Sequence, residues 1–410
     1  MGKIPVNTGV KAHENMQKYI SARRAGAAAL WSYRDWRAVL AAFILCGLLF
    51  GVWASRIPAF KDRFDLDAGT LGILLLTFAF GAIASFPFAG ALSERVGPTR
   101  LTVVCAVGYC PALASLPLTS DVIVLAIALF VFGIFHGSMD VAMNGWAAQV
   151  EGRLKRSTMS IFHAGFSLGA GLGAASGFWA VQLGFDPGLH FGLMAGGGGI
   201  SALAIMIVGA DNAPLPKRDT TSRGLIVIPS RTLFFVGLIA FAVSMGEGAM
   251  VDWSAVYLVV VIGASEATAA LGLAAFSAMM FLTRLLGGFF VDRSGPVRIT
   301  QLSAAIAFLG LVLVIVSGTA SMTIFGFALI GIGYAIVMPL VFSRAANDPR
   351  QAAGPAIASV AMLAYGGMLL GPPTIGFLAE VIGLRMSFSV LSGLAVMAFF
   401  LAPRLRPPLG

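Results

Sequence analysis

The sequence predicts an all-α polytopic membrane protein, with twelve transmembrane helices in two six-helix pseudo-symmetric bundles, and three observations carry that expectation. The 410 residues are 58% hydrophobic and 11% charged, with a mean hydropathy of +0.90, which leaves a water-soluble protein no way to solvate its surface. Apolar stretches of membrane-spanning length recur along the chain, and the basic residues alternate between the loops that join them. A charged string in the first half, GALSERVGPTR from Gly90 to Arg100, returns in the second without a gap as GFFVDRSGPVR from Gly288 to Arg298.

A bilayer span needs roughly 20 mostly apolar residues. Residues 1–35 read as a cytoplasmic tail, because the apolar run after Arg23 and Arg24 is interrupted by Ser32, Arg34 and Asp35 before it can serve as a cleavable signal. The first bundle occupies 36–210, with spans at 37–58, 69–92, 99–118, 122–148, 158–183 and 189–210. A cytoplasmic linker follows at 211–230, rich in proline and charge (DNAPLPKRDTTSRGLIVIPS). The second bundle fills 231–403, with spans at 232–262, 268–291, 298–318, 321–343, 353–380 and 384–403, and residues 404–410 form a short cytoplasmic tail.

The net charge of +9 is topological. With both termini in the cytoplasm, all of the 27 Lys and Arg except Arg56, Lys61, Arg63 and Arg385 fall on the cytoplasmic side, as the positive-inside rule requires. Anionic lipid, and not nucleic acid, is the partner this pattern implies. Cys46, Cys105 and Cys110 lie inside spans, so no disulfide framework is expected.

The two charged strings are offset by 198 residues, and Trp53 against Trp253 and LGIL from Leu71 against LGLA from Leu271 fall at nearly the same spacing. Parallel repeats of this kind place a substrate site at the interface between the halves. Each string sits between the second and third spans of its half. The pattern Gly-x-x-x-Asp/Glu-Arg-x-Gly-x-x-Arg at that place resembles the signature loop of the major facilitator superfamily, and its duplication in register makes the match specific. The resemblance implies the major facilitator fold and transport by alternating access. It also implies a conformational latch at the cytoplasmic ends of the halves, carried by Gly90, Glu94, Arg95, Arg100 and by Gly288, Asp292, Arg293, Arg298. Glu94 stands where the family usually has Asp.

An ionisable group at the bilayer centre costs roughly 2.5–3.5 kcal/mol on insertion scales, so each needs a reason. In span four, GIFHGSMDVAMNG puts His136, Asp140 and Asn144 on one helical face. His163 in span five is expected at a depth similar to Asp140, where the two could exchange a proton. Span seven contributes Glu247 and Asp252 in GEGAMVDWSAVY. Five residues of regular helix separate their directions by about 140°, so either Gly246 and Gly248 break the helix or Asp252 pairs elsewhere, with Arg56 a candidate. Proton coupling is assigned to Asp140, Glu247 and His163, and solute binding to His136, Asp140, Asn144, His163, Glu247, Asp252, Trp253 and Tyr365. The last two are chosen from the aromatics Trp53, Trp253, Tyr257, Tyr334 and Tyr365. Arg284 is read as part of the latch or as a side chain snorkelling to headgroups.

The spaced glycines of GFSLGAGLGAASG follow no strand, which excludes a dinucleotide fingerprint and favours close helix packing. Pro372 and Pro373 are expected to bend span eleven. No metal-ligand spacing, Walker lysine motif or nucleophile elbow occurs, so neither a metal, a cofactor, ATP-driven transport nor enzymatic activity is expected. The expected function is proton-coupled uptake of a small polyhydroxylated or aminated solute. A proton-driven exporter and a non-transporting receptor are the alternatives. Each chain is expected to form its own pathway, so a monomer is functional. The strings DVAMN, FHAGFSLG and GEGAMVDWS together resemble one bacterial branch of the superfamily, and that resemblance implies an inositol-derived amine as solute.

Overall fold

The computed structural model describes residues 30–155, 158–210, 230–351 and 353–406, and every regular element among them is helical. The first half holds α1 (Arg34–Ser55) and its short continuation α2 (Ile57–Arg63), then α3 (Ala68–Val96), α4 (Pro98–Ser115), α5 (Val122–Leu154) and α6 (Met159–Gln182). Next, α7 (Pro187–Leu193) joins α8 (Gly199–Gly209) through a π-helical turn at Met194–Gly198. The second half holds α9 (Arg231–Val260), α10 (Glu266–Val316), α11 (Ala320–Tyr334), α12 (Val337–Ala346), α13 (Ala353–Ser387) and α14 (Ser389–Leu401). The expected linker and most of both expected tails lie outside the described residues.

Among the described residues ten helices are long and apolar enough to cross a membrane, and Ser389–Leu405 adds a shorter apolar helix. The 51 residues of α10 would extend about 77 Å as one rod, more than twice the roughly 30 Å hydrocarbon core. The chain avoids that by leaving the helical region at Gly295, with φ 75° and ψ 162°, so the parts of α10 before and after it correspond to spans eight and nine. Gly383, at φ 80° and ψ 152°, likewise separates the body of α13 from the last apolar segment.

The repeat extends to backbone conformation. Gly97 and Gly295, one in each charged string, both have positive φ, at 90° and 75°, and their separation is that of the strings themselves. Asp65 pairs with Gly263 at the same spacing, and Gly184 with Gly383 at one residue more; all four have positive φ. A left-handed turn costs a glycine little and another residue about 1–2 kcal/mol, so these positions are fixed by the turn each half must make.

Helices begin where side chains satisfy their free N–H groups. Asp67, Asp121 and Asp186 cap α3, α5 and α7, and Ser265 and Thr319 cap α10 and α11. Such side chains pair N–H groups that the first helical turn leaves free. The N–H of Thr70 holds the Asp67 carboxyl below its ordinary value, and that of Val124 does the same for Asp121.

Within the first half α1 packs on α6 and α3 on α5; in the second α10 packs on α11 and α9 on α13. The α1–α6 seam explains the spaced glycines. A Cβ at Gly169 would collide with the carbonyl of Ile44, and one at Gly47 with that of Phe166. Between the halves, α6 packs on α10 and α3 on α13. Exchanging the halves turns span five against span eight into span eleven against span two, so the two seams are related by the repeat.

The halves are pinned together at the end expected to face outside. Arg56 Nε at the end of α1 lies 2.8 Å from Glu266 Oε1 at the start of α10, and Arg56 Nη1 also donates to the Phe185 carbonyl at 3.2 Å. Glu380 of α13 accepts the Gly69 N–H of α3 at 3.0 Å, and beside it Gly72 sits against the Pro372 carbonyl. Helix α13 runs through Pro372 and Pro373 and first leaves helical geometry at Gly383. At the opposite end Glu94, Arg95, Arg100, Asp292, Arg293 and Arg298 are all exposed, and none forms an ion pair among the described residues. A Cβ at Gly90 would meet nothing, so this glycine does not serve close helix approach here; Gly288 is half-buried.

Candidate functional site

Two polar clusters lie inside the helix assembly. The first rises from α5, whose Asp140 is enclosed by protein on all sides but retains accessible surface, as expected of a group lining an internal space. Asn144, one turn on, donates to Asp140 Oδ1 at 3.1 Å and to its carbonyl at 2.9 Å. No cation lies within electrostatic reach of this carboxylate among the described residues. Tyr365 of α13 comes within range of its field from the other half, and its ring meets Phe86 of α3 edge-on at 4.8 Å between centroids. Asp140, Asn144 and Tyr365 are therefore brought together as the sequence suggests.

His136 shares their helix but not their setting. Its Nδ1 is 2.8 Å from the Tyr109 hydroxyl and 3.7 Å from Cys46 Sγ, and its ring is wedged against Phe50 and Phe78. It is 7% exposed, a hydrogen-bonded packing residue at the centre of the first half.

The second cluster centres on Arg284 of α10. Its Nη1 donates to Ser167 Oγ at 2.6 Å and to the His163 carbonyl at 3.3 Å, both on α6 of the other half. Its Nε donates to the Ala335 carbonyl at 3.3 Å, at the break between α11 and α12 where that carbonyl lacks a helical partner. Its Nη2 lies 3.6 Å from Glu247 Oε1, close enough for ionic attraction and too long for a hydrogen bond. The Tyr334 hydroxyl lies beside Gly246, where a Cβ would collide with the tyrosine ring. It is buried without a hydrogen-bond partner among the described residues, as is Glu247 Oε1. Glu247 keeps 27% of its side-chain surface although protein surrounds it, so its other oxygen faces internal space.

Several expectations are corrected. Arg284 is neither in the latch nor at the headgroups. Eight residues separate it from Asp292, about 12 Å of helix, which is beyond the reach of a snorkelling side chain and was the available sequence signal. His163 does not face Asp140; its ring stacks edge-on to Phe43 at 5.2 Å and feels the charge of Arg284. Helix α9 is continuous through Gly246 and Gly248, because Gly246 makes room for Tyr334 rather than breaking the chain. Arg56 pairs with Glu266 and not with Asp252. Asp252 is 7% exposed and Trp253 0%, the latter packed near Gly376, so neither lines the space that Glu247 faces. Tyr334 and Ser167 were not among the expected site residues; one reads as an ordinary core aromatic and the other as a small helix-packing residue.

Comparison with known proteins agrees with this architecture. Residues 38–354 match the family model described as Major Facilitator Superfamily. The chain is similar to the uncharacterized transporter y4wD of Sinorhizobium fredii, 43% identical and covering 90% of this chain and 98% of that one. An uncharacterized MFS-type transporter of Yersinia pestis is 33% identical, over 86% of this chain and 90% of its own. The fold resembles a bacterial homolog of the human lysosomal transporter Spinster, crystallised inward-facing and unoccupied, with a TM-score of 0.70 at 14% identity, covering 91% of this chain and 98% of that one. Repeated halves, duplicated turns and these matches lead to one conclusion: the chain belongs to the major facilitator superfamily, multi-pass membrane proteins that move small solutes and are not enzymes.

Proposed function

We propose that the protein takes up a small polyhydroxylated or aminated solute with protons, by rocking its halves about the enclosed polar clusters. The observation that carries this is Asp140, a carboxylate inside the helix assembly with an amide partner and no ion-pair partner among the described residues. Such a charge is costly in a membrane, and a proton carried together with the solute offsets that cost while the loaded halves rock. Glu247, across the seam, is the second proton-coupling carboxylate, with His163 nearby. The exposed Glu94, Arg95, Arg100, Asp292, Arg293 and Arg298 serve as the latch in the alternate state, when the cytoplasmic ends approach. The protein works as a monomer in a bacterial inner membrane with both termini in the cytoplasm, an orientation supported by the distribution of Lys and Arg.

The solute class follows from acceptors in both halves and an aromatic face at Tyr365. The resemblance of DVAMN, FHAGFSLG and GEGAMVDWS to the rhizopine transport protein points to an aminocyclitol. The test is uptake of a labelled inosamine into proteoliposomes under an imposed inward proton gradient. Acidification outside should drive accumulation in the wild type and fail to do so in Asp140→Asn. Accumulation that remains gradient-driven in both Asp140→Asn and Glu247→Gln removes these carboxylates from coupling, and efflux without uptake makes the protein an exporter.

A further inference from the structure

The cluster around Arg284 holds buried polar atoms that no protein group among the described residues pairs. Arg284 satisfies Nε and Nη1 with Ala335, His163 and Ser167, which leaves Nη2 facing Glu247 across 3.6 Å. Glu247 Oε1 and the Tyr334 hydroxyl, 3% exposed for the residue as a whole, are both buried with no hydrogen-bond partner. Buried polar atoms are nearly always paired, and here an acceptor (the Glu247 carboxylate) and donors (Arg284 Nη2 and Tyr334 Oη) belong to one cluster, with Nη2 3.6 Å from Glu247 Oε1 and Tyr334 within range of the carboxylate's field.

The chemistry of the missing partner follows from that inventory. While Glu247 is ionised its charge and that of Arg284 offset each other, so the guest that fits this form is neutral: a carboxylate would meet Glu247 and an ammonium would meet Arg284. It must donate once and accept twice, which is what a hydroxyl does. Asp140 presents the opposite case, with a carboxylate, an amide and no ion-pair partner among the described residues.

We propose that Glu247, Arg284 and Tyr334 form a receptor for one hydroxyl group of the solute, and that Asp140 with Asn144 receives its ammonium group. The assignment rests on the proposed solute class and extends it, because it divides recognition between the halves: the amine is read by the first half and the hydroxyl by the second. A solute engaging both groups ties the halves together, whereas one with a single group engages one half.

The test is binding to the purified full chain by calorimetry with three probes: an inosamine, the parent inositol and cyclohexylamine, which keeps the amine and has no hydroxyl. Tyr334→Phe removes one hydroxyl that has no partner in the protein, so its thermal midpoint without ligand should equal or exceed that of the wild type. The same substitution should weaken inosamine and inositol about tenfold and leave cyclohexylamine unchanged. Asp140→Asn should weaken inosamine and cyclohexylamine and spare inositol. Unaltered inositol and inosamine binding in Tyr334→Phe, which would mean that water alone fills the position, overturns the assignment and leaves the proposed transport function standing. An equal loss for all three probes also overturns it. If the wild type binds none of the three, the solute class falls and this assignment with it.

Discussion

The Arg56–Glu266 pair should control how firmly the end expected to face outside is shut. Its 2.8 Å contact joins the end of the first span to the start of the eighth, so it exists only while the halves meet at that end. Arg56 is 4% exposed in this state. Removing the charge from one partner of a buried pair costs about 3–5 kcal/mol. Glu266 is more exposed, at 27%, and Gln retains one acceptor, so about 2 kcal/mol is the reasonable figure for Glu266→Gln. That is a roughly thirtyfold shift from closed to open at the outer face. The assay is the distance between spin labels at Leu118 and Val316, exposed positions at the ends of α4 and α10 in opposite halves. A longer-distance population should grow in Glu266→Gln, grow similarly in Arg56→Gln, and grow no further in the double variant, since either change alone removes the pair. Fully additive effects of the two substitutions would refute the reasoning, because they would mean that the residues act on the outer face independently of each other.

Other expectations follow from local geometry. Gly169→Val should abolish membrane-inserted, monodisperse protein, because a side chain there meets the Ile44 carbonyl and overpacking of this kind costs several kcal/mol; size-exclusion chromatography reads the outcome. Asp67→Ala should lower stability by about 1 kcal/mol through loss of the α3 cap, seen as a drop in thermal midpoint. The Asp67 carboxyl is held below its ordinary value of 3.8 by the Thr70 N–H, so its contribution is fully present above that pH and is lost as the pH falls through the lower folded-state value. The midpoint difference between Asp67→Ala and wild type should therefore be constant from pH 5 to 8 and shrink only in stronger acid. Arg284→Lys should keep a charge near Glu247 while losing the fork that spans Ala335, His163 and Ser167. Proton-driven uptake should fall at least tenfold with little loss of expressed protein.

Much of the architecture was legible because membrane burial imposes patterns on the sequence. Hydropathy located the spans, the alternation of Lys and Arg suggested an orientation, and the duplicated strings gave the repeat, which the structure extends to the same positive-φ turn at Gly97 and Gly295. Asp140 and Glu247 were legible as charges without access to a membrane face. The partners of these groups were not, because a partner in a helix bundle is chosen by packing between segments far apart in sequence. Arg284 reaches Ser167 and the His163 carbonyl across the seam, and Arg56 takes Glu266 instead of Asp252.

The sequence by itself therefore determined a twofold-repeated transporter fold, its polar residues and its turns, since each depends on local composition and on the bilayer's intolerance of unpaired polar groups. Tertiary structure decided which carboxylate has a cation, which histidine is core, and which end of the molecule is closed. Those outcomes depend on the rotation and depth of each helix against its neighbours, quantities that a periodic apolar segment leaves free until the α6–α10 and α3–α13 seams come together.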